Sequence, residues 1–184
     1  MSEIASKTQL RMSFTRWAVV AVPLLILLGG LSGVLSNSGN NNHWYAGLTK
    51  PEIMPPGWAF GVIWTILYAM MGCAVAAILD ARGAGGRALA LGLFTIQLVL
   101  NLIWSPLFFG AHQAHLAVFL LVVILLAAVA TTLVFAPIRR HAAWLMVPYL
   151  AWLCVALALA YQIDQLNPNA AHLGTVAGTA HISS

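Results

Sequence analysis

Residues 44–68 read WYAGLTKPEIMPPGWAFGVIWTILY, a polar, proline-rich segment that turns into an apolar helix. The segment holds three tryptophans (Trp44, Trp58, Trp64), two tyrosines (Tyr45, Tyr68), Phe60 and three prolines (Pro51, Pro55, Pro56). Proline lacks a backbone N–H and is tolerated in the first turn of a helix, where that donor is unpaired in any case. Pro55-Pro56-Gly57 therefore marks a helix start. The apolar run that follows, 59–79, has about the ~20 residues needed to cross hydrocarbon as a helix. Aromatic rings at such a boundary either anchor the helix at the membrane interface or line a pocket for a flat apolar ligand.

Four further apolar runs flank this one, at 17–35, 88–109, 116–135 and 143–163. Of the 184 residues 61% are hydrophobic and only 7% are charged, against roughly 25% charged in a soluble domain. The chain is therefore expected to be an all-α integral membrane bundle of five transmembrane helices. It divides into a cytoplasmic N-terminal segment (1–16), the five-helix domain (17–168) and a disordered tail (169–184) of mostly Gly, Ala, Thr and Ser. The first run is too long and too late for a cleaved signal peptide.

Charge sets the expected orientation. Lys7, Arg11 and Arg16 precede the first helix, Arg82 and Arg87 lie in the second loop, and Arg139 and Arg140 in the fourth; Lys50 alone lies on the other side. The positive-inside rule then puts the N-terminus in the cytoplasm and the C-terminus outside, and the expected setting is a bacterial membrane. The net charge of +4 is topological. Nucleic-acid binding would need these residues on one soluble face.

Polar residues inside the membrane are costly and mark function. Glu3, Glu52, Asp80 and Asp164 all fall at helix ends or in loops, which counts against proton-coupled or charged-substrate transport. The six histidines also avoid the helix centres, so no axial haem ligand or metal site is expected; His112 and His115 are read as interfacial polar residues. Cys73 and Cys154 are read as buried small hydrophobes. Arg82-Gly83-Ala84-Gly85-Gly86-Arg87 lacks the strand and GK[ST] ending of a phosphate loop and reads as a glycine hairpin. The first loop, 36–57, is long among very short ones, and such loops carry function.

Helical spacing then gathers three aromatic faces. Phe60, Trp64 and Tyr68 stack on the second span; Gln97, Asn101, Trp104, Ser105 and Phe108 share a face of the third; Tyr149, Trp152, Ala156 and Ala160 share one on the fifth. For any one residue, packing between helices explains the pattern. Three such faces beside an aromatic loop favour a ligand cavity. Gly29 and Gly33 permit close helix approach within the chain, and Pro23 and Pro148 are candidate kinks.

With these residues in view the chain resembles the TspO/MBR family, the tryptophan-rich sensory and translocator proteins related to the peripheral benzodiazepine receptor. The matching pieces are Trp44-Tyr45, Leu48, Lys50-Pro51, Pro55-Pro56, Trp64-Thr65, Leu67-Tyr68 and Met71-Gly72. They continue through Gln97-Leu98, Leu100-Asn101, Trp104-Ser105, Phe108-Phe109, Pro148-Tyr149, Trp152, Ala156 and Leu166-Asn167. The resemblance covers roughly residues 14–168, in order and spacing.

It implies a five-helix bundle, often a homodimer, whose first loop lids a pocket for porphyrins (protoporphyrin IX or haem) and for isoquinoline carboxamide or benzodiazepine-type drugs. The porphyrin is a ligand, and no cofactor is required. The implied pocket takes Tyr45, Pro56, Trp64, Tyr68, Asn101, Trp104, Trp152 and Ala156, to which the helical faces add Phe60. Departures occur at Ile53, where relatives often carry a ring, and at Leu159-Ala160, where they carry Leu-Asn. Tyr161 has no following Lys or Arg to complete a sterol consensus, so sterol binding lacks sequence support. Three functions stay open: a porphyrin-binding sensor, light-driven porphyrin degradation through Trp64 and Trp152, and porphyrin or lipid transport.

Overall fold

The computed structural model describes residues 7–170, with side chains from residue 13 onward. The regular elements of the described chain are all helical: α1 (Lys7–Leu35), α2 (His43–Gly47), α3 (Gly57–Asp80), α4 (Arg87–Ser105), a π-helical turn (Pro106–Gly110), α5 (Ala114–Ile138) and α6 (Arg140–Leu166). Five helices are long and apolar enough to cross a membrane, with the π-helical turn continuing α4 to Gly110. The expected all-α, five-span bundle is the fold.

The outside of the bundle is as apolar as its inside. Val19, Leu27, Leu126 and Leu133 stand between 64% and 68% exposed, an arrangement that costs nothing only where lipid replaces water. Because lipid is as apolar as leucine, helices associate through close packing and interhelical hydrogen bonds. Hence the interior of α3 is small: Gly72, Ala74, Ala76 and Ala77 are all buried. A Cβ on Gly72 would lie 2.7 Å from the Val22 Cα of α1. The helices form a ring in the order α1, α3, α6, α5, α4, and α4 closes more lightly onto α1.

Among the described residues helix α1 reaches back to Lys7, well before the apolar run at 17. Residues 7–16 contain neither Gly nor Pro and suit a helix, so the apolar run marks only its hydrocarbon part. Helices α1 and α6 run through Pro23 and Pro148 without ending, whereas α5 ends one residue after Pro137. The hairpin at 82–87 turns on Gly83 and Gly86, both at φ +77°. Arg87 then donates from Nε to the Ile78 carbonyl (3.0 Å) and from Nη2 to that of Leu79 (2.9 Å). Arg87 thus caps the C-terminal end of α3.

Pro106 shapes the other end of α4. It has no N–H for the carbonyl of Leu102, four residues back, and an unpaired carbonyl at membrane depth costs free energy. Ser32 Oγ of α1 donates to that carbonyl at 2.7 Å, and the chain continues as a π-helical turn. Of the tail placed at 169–184, residues 171–184 with His172 and His181 lie outside the described residues. Ala170 is packed at 4% exposure.

Candidate functional site

Below the first loop, α1, α3, α4 and α6 surround a cavity of about 610 Å³, within the roughly 300–1,000 Å³ of small-molecule sites. Phe60, Trp64 and Tyr68 line it from successive turns of α3, and Asn101, Trp104 and Ser105 from α4. Phe108 and Phe109 come from the π-helical turn, and Trp152, Ala156 and Ala160 from α6. On the α1 side the wall is Ile26 followed by Gly29, Gly30, Ser32 and Gly33, so beyond Ile26 it is largely backbone. The rings meet edge to face between Phe60 and Trp152 (5.8 Å) and stack between Trp104 and Phe108 (5.1 Å). Trp152 Nε1 is buried and has no acceptor among the described residues.

The deep end is a polar network. Tyr68 donates to Asn101 Oδ1 at 2.7 Å, Asn101 Nδ2 donates to the Tyr149 hydroxyl at 3.1 Å, and that hydroxyl donates to Gln97 Oε1 at 2.9 Å. Every member is buried, so the pairing removes the desolvation cost each group would otherwise carry. The network joins α3, α4 and α6 and sets the direction of the Tyr68 ring. Gly29 makes room for that ring: a Cβ there would fall 2.0 Å from Tyr68 Cε2.

The first loop is fastened at several points. Asn42 caps α2 by accepting from the Tyr45 N–H (3.0 Å), and its Nδ2 donates to the Phe109 carbonyl (3.0 Å). Trp44 Nε1 donates to the Ala170 carbonyl at 2.8 Å. Asn167, at the end of α6, accepts from the Thr49 N–H and donates to its carbonyl, both at 2.9 Å. Burial pushes the Tyr45 phenol above its ordinary value of 10.0.

All nine residues singled out in the sequence, Tyr45, Pro56, Phe60, Trp64, Tyr68, Asn101, Trp104, Trp152 and Ala156, line this one cavity. Tyr149 and Gln97, which share their faces, do not; they stand behind the wall at 0% exposure, Tyr149 accepting from Asn101 and donating to Gln97. Ile53 is 67% exposed, outside the cavity, so the ring lacking there removes nothing from the wall. Ala160 does line the cavity.

Trp58 is 72% exposed, as an interfacial anchor would be, whereas Trp44 is buried against Phe108. Cys154, read as buried, is exposed on the lipid side of α6. His112 stacks on Trp44 (4.7 Å) and His115 Nδ1 lies 2.9 Å from Asp164 Oδ2, so the two serve different contacts. The sequence reading missed the α1 wall, α2 and its Asn42 cap, and Lys50 as a lining residue. The Asn-to-Gly span 42–47 was a usable signal for α2.

The profile of the TspO/MBR family matches residues 19–166. This chain belongs to the TspO/MBR family. It is 41% identical over 144 residues to the translocator protein of Homo sapiens, covering 76% of this chain and 84% of that one. It is 38% identical over 148 residues to the tryptophan-rich protein TspO of Chlorobaculum tepidum, covering 78% and 92%. With the protein CrtK of Rhodobacter capsulatus the identity is 33% over 158 residues, covering 85% and 96%. Membership and the five apolar helices together make this a multi-pass membrane protein.

Proposed function

We propose that this TspO/MBR protein is a membrane receptor or sensor that takes a flat hydrophobic ligand of the porphyrin class, protoporphyrin IX or haem, into the cavity. The observation that carries the reading is the convergence of Phe60, Trp64, Trp104 and Trp152, from three helices, on one space of about 610 Å³. Aromatic walls suit a planar π-system. The unpaired Trp152 N–H is a donor that a ligand acceptor would satisfy, and buried donors left alone are uncommon. Planar isoquinoline carboxamide or benzodiazepine-type drugs would compete for the same walls. Closure of the first loop over the ligand would pass the signal to a partner, with the N-terminus cytoplasmic and the protein a homodimer.

Titration of protoporphyrin IX, followed by tryptophan quenching, tests the site. Trp64→Ala and Trp152→Ala are each expected to weaken binding about tenfold or more, as truncated aromatic anchors do; wild-type affinity in both removes this site.

A photochemical reading is favoured by one arrangement. Trp64 lies 5.5 Å from the Tyr68 ring and 6.4 Å from that of Tyr149, giving oxidisable rings beside a bound, photoexcited porphyrin. Light-dependent loss of the porphyrin bands should then vanish in the Trp64→Phe/Trp152→Phe double variant. Equal bleaching in that variant rejects it.

A further inference from the structure

We propose that Lys50 is the anchoring cation for a carboxylate on the ligand, so that the cavity selects a flat aromatic acid over its neutral counterpart. The inference rests on the ligand-cavity reading above and adds the chemical class of the ligand.

Among the described residues Lys50 is the only one with a formal charge that lines the cavity. Its Nζ donates to the Tyr45 carbonyl at 2.9 Å and reaches the Leu48 carbonyl at 3.5 Å, and it sits 4.5 Å over the centroid of the Tyr45 ring. Among the described residues it has no carboxylate partner, the single ion pair being His115 with Asp164. Carbonyl dipoles and a ring face hold the ammonium in place but leave its charge uncompensated, and at least one of its three donors stays available. Because the side chain is already positioned, pairing with an anion loses little further rotamer freedom.

The position of the charge matters as much as its presence. Lys50 belongs to the loop, whereas the Tyr68–Asn101 floor lies eleven helical residues beyond Gly57, about 16 Å along α3. Between them the lining is aromatic, aliphatic and hydroxylic. A fitting ligand has a planar body for the rings and an acidic edge at the loop end. Among the described lining residues there is no arginine or second cation, so one ammonium is available to balance one carboxylate.

The test compares protoporphyrin IX, which carries carboxylates, with its dimethyl ester, by quenching titration of the full chain in one detergent. The effect of substitution on each ligand is what is read, because the two partition differently into micelles. In Lys50→Gln, which keeps N–H donation without the charge, affinity for the acid should fall about fivefold, the upper range for a partly exposed ion pair. Affinity for the ester should stay unchanged, and Lys50→Arg should restore the acid. An equal fall for both ligands, or no fall for either, overturns the proposal while leaving the cavity reading intact. Absence of saturable quenching by either ligand in the wild type overturns the cavity reading as well. Oleate, a carboxylate of lipid origin, is expected not to displace the porphyrin; Lys50-dependent displacement would overturn the aromatic assignment.

Discussion

Tyr68 on α3 and Asn101 on α4 are joined by a 2.7 Å hydrogen bond at the floor of the cavity. The same asparagine donates to the Tyr149 hydroxyl of α6, so one amide ties three helices. Asn101→Leu should therefore destabilise more than Tyr68→Phe. The first leaves the Tyr68 hydroxyl without its acceptor and takes from the Tyr149 hydroxyl the bond it accepts, and the second removes one donor for about 1 kcal/mol. Thermal unfolding in detergent reads the order, and a larger loss for Tyr68→Phe contradicts the network.

Gly29 is matched to the Tyr68 ring, with a Cβ at position 29 placed 2.0 Å from Cε2. Gly29→Ala must move the ring into the cavity or separate α1 from α3, an overpacking cost of about 1–3 kcal/mol. Gly33→Ala, whose nearest neighbour is Ser38 Oγ at 3.9 Å, should be tolerated. Melting temperature and ligand affinity are both expected to fall for the first variant and to hold for the second.

Ser32 relieves the carbonyl that Pro106 leaves unpaired. Ser32→Ala should cost roughly 1–2 kcal/mol, and Ser32→Thr should cost less because it keeps the donor. Equal melting temperatures for the serine and alanine proteins would show that the Leu102 carbonyl finds another partner.

Asn167 clamps Thr49 through both backbone groups. In Asn167→Ala the first loop should open more often, with hydrogen exchange of residues 43–50 accelerated about tenfold and the span centres unaffected. Uniform acceleration would mean global destabilisation instead.

The spans were legible because each apolar run must be about as long as the hydrocarbon is thick. The ring walls were legible too, since Phe60, Trp64 and Tyr68 recur at helical spacing and regular helices keep them on one side. Spacing could not tell Trp152 from Tyr149: a face is wide enough to hold both a lining residue and the one behind it, and helix rotation decides which is which. The α1 wall was hidden because Gly29, Gly30 and Gly33 have no side chain to form a pattern. Lys50 stood out as the exception to a charge rule and as part of the Lys50-Pro51 pair, neither of which places it at a cavity. Its contact with Tyr45 depends on how the loop folds, as does the clamp at Asn167. Pro106 was visible as a residue, but its effect on Leu102 depends on Ser32 from another helix.

The most direct measurement of the central claim is a protoporphyrin IX titration of Ala156→Phe. Ala156 lines the cavity from α6 between Trp152 and Ala160, so a phenyl ring there fills the space a ligand needs. The account predicts loss of saturable quenching with the melting temperature retained. Wild-type affinity in a folded Ala156→Phe protein would contradict it.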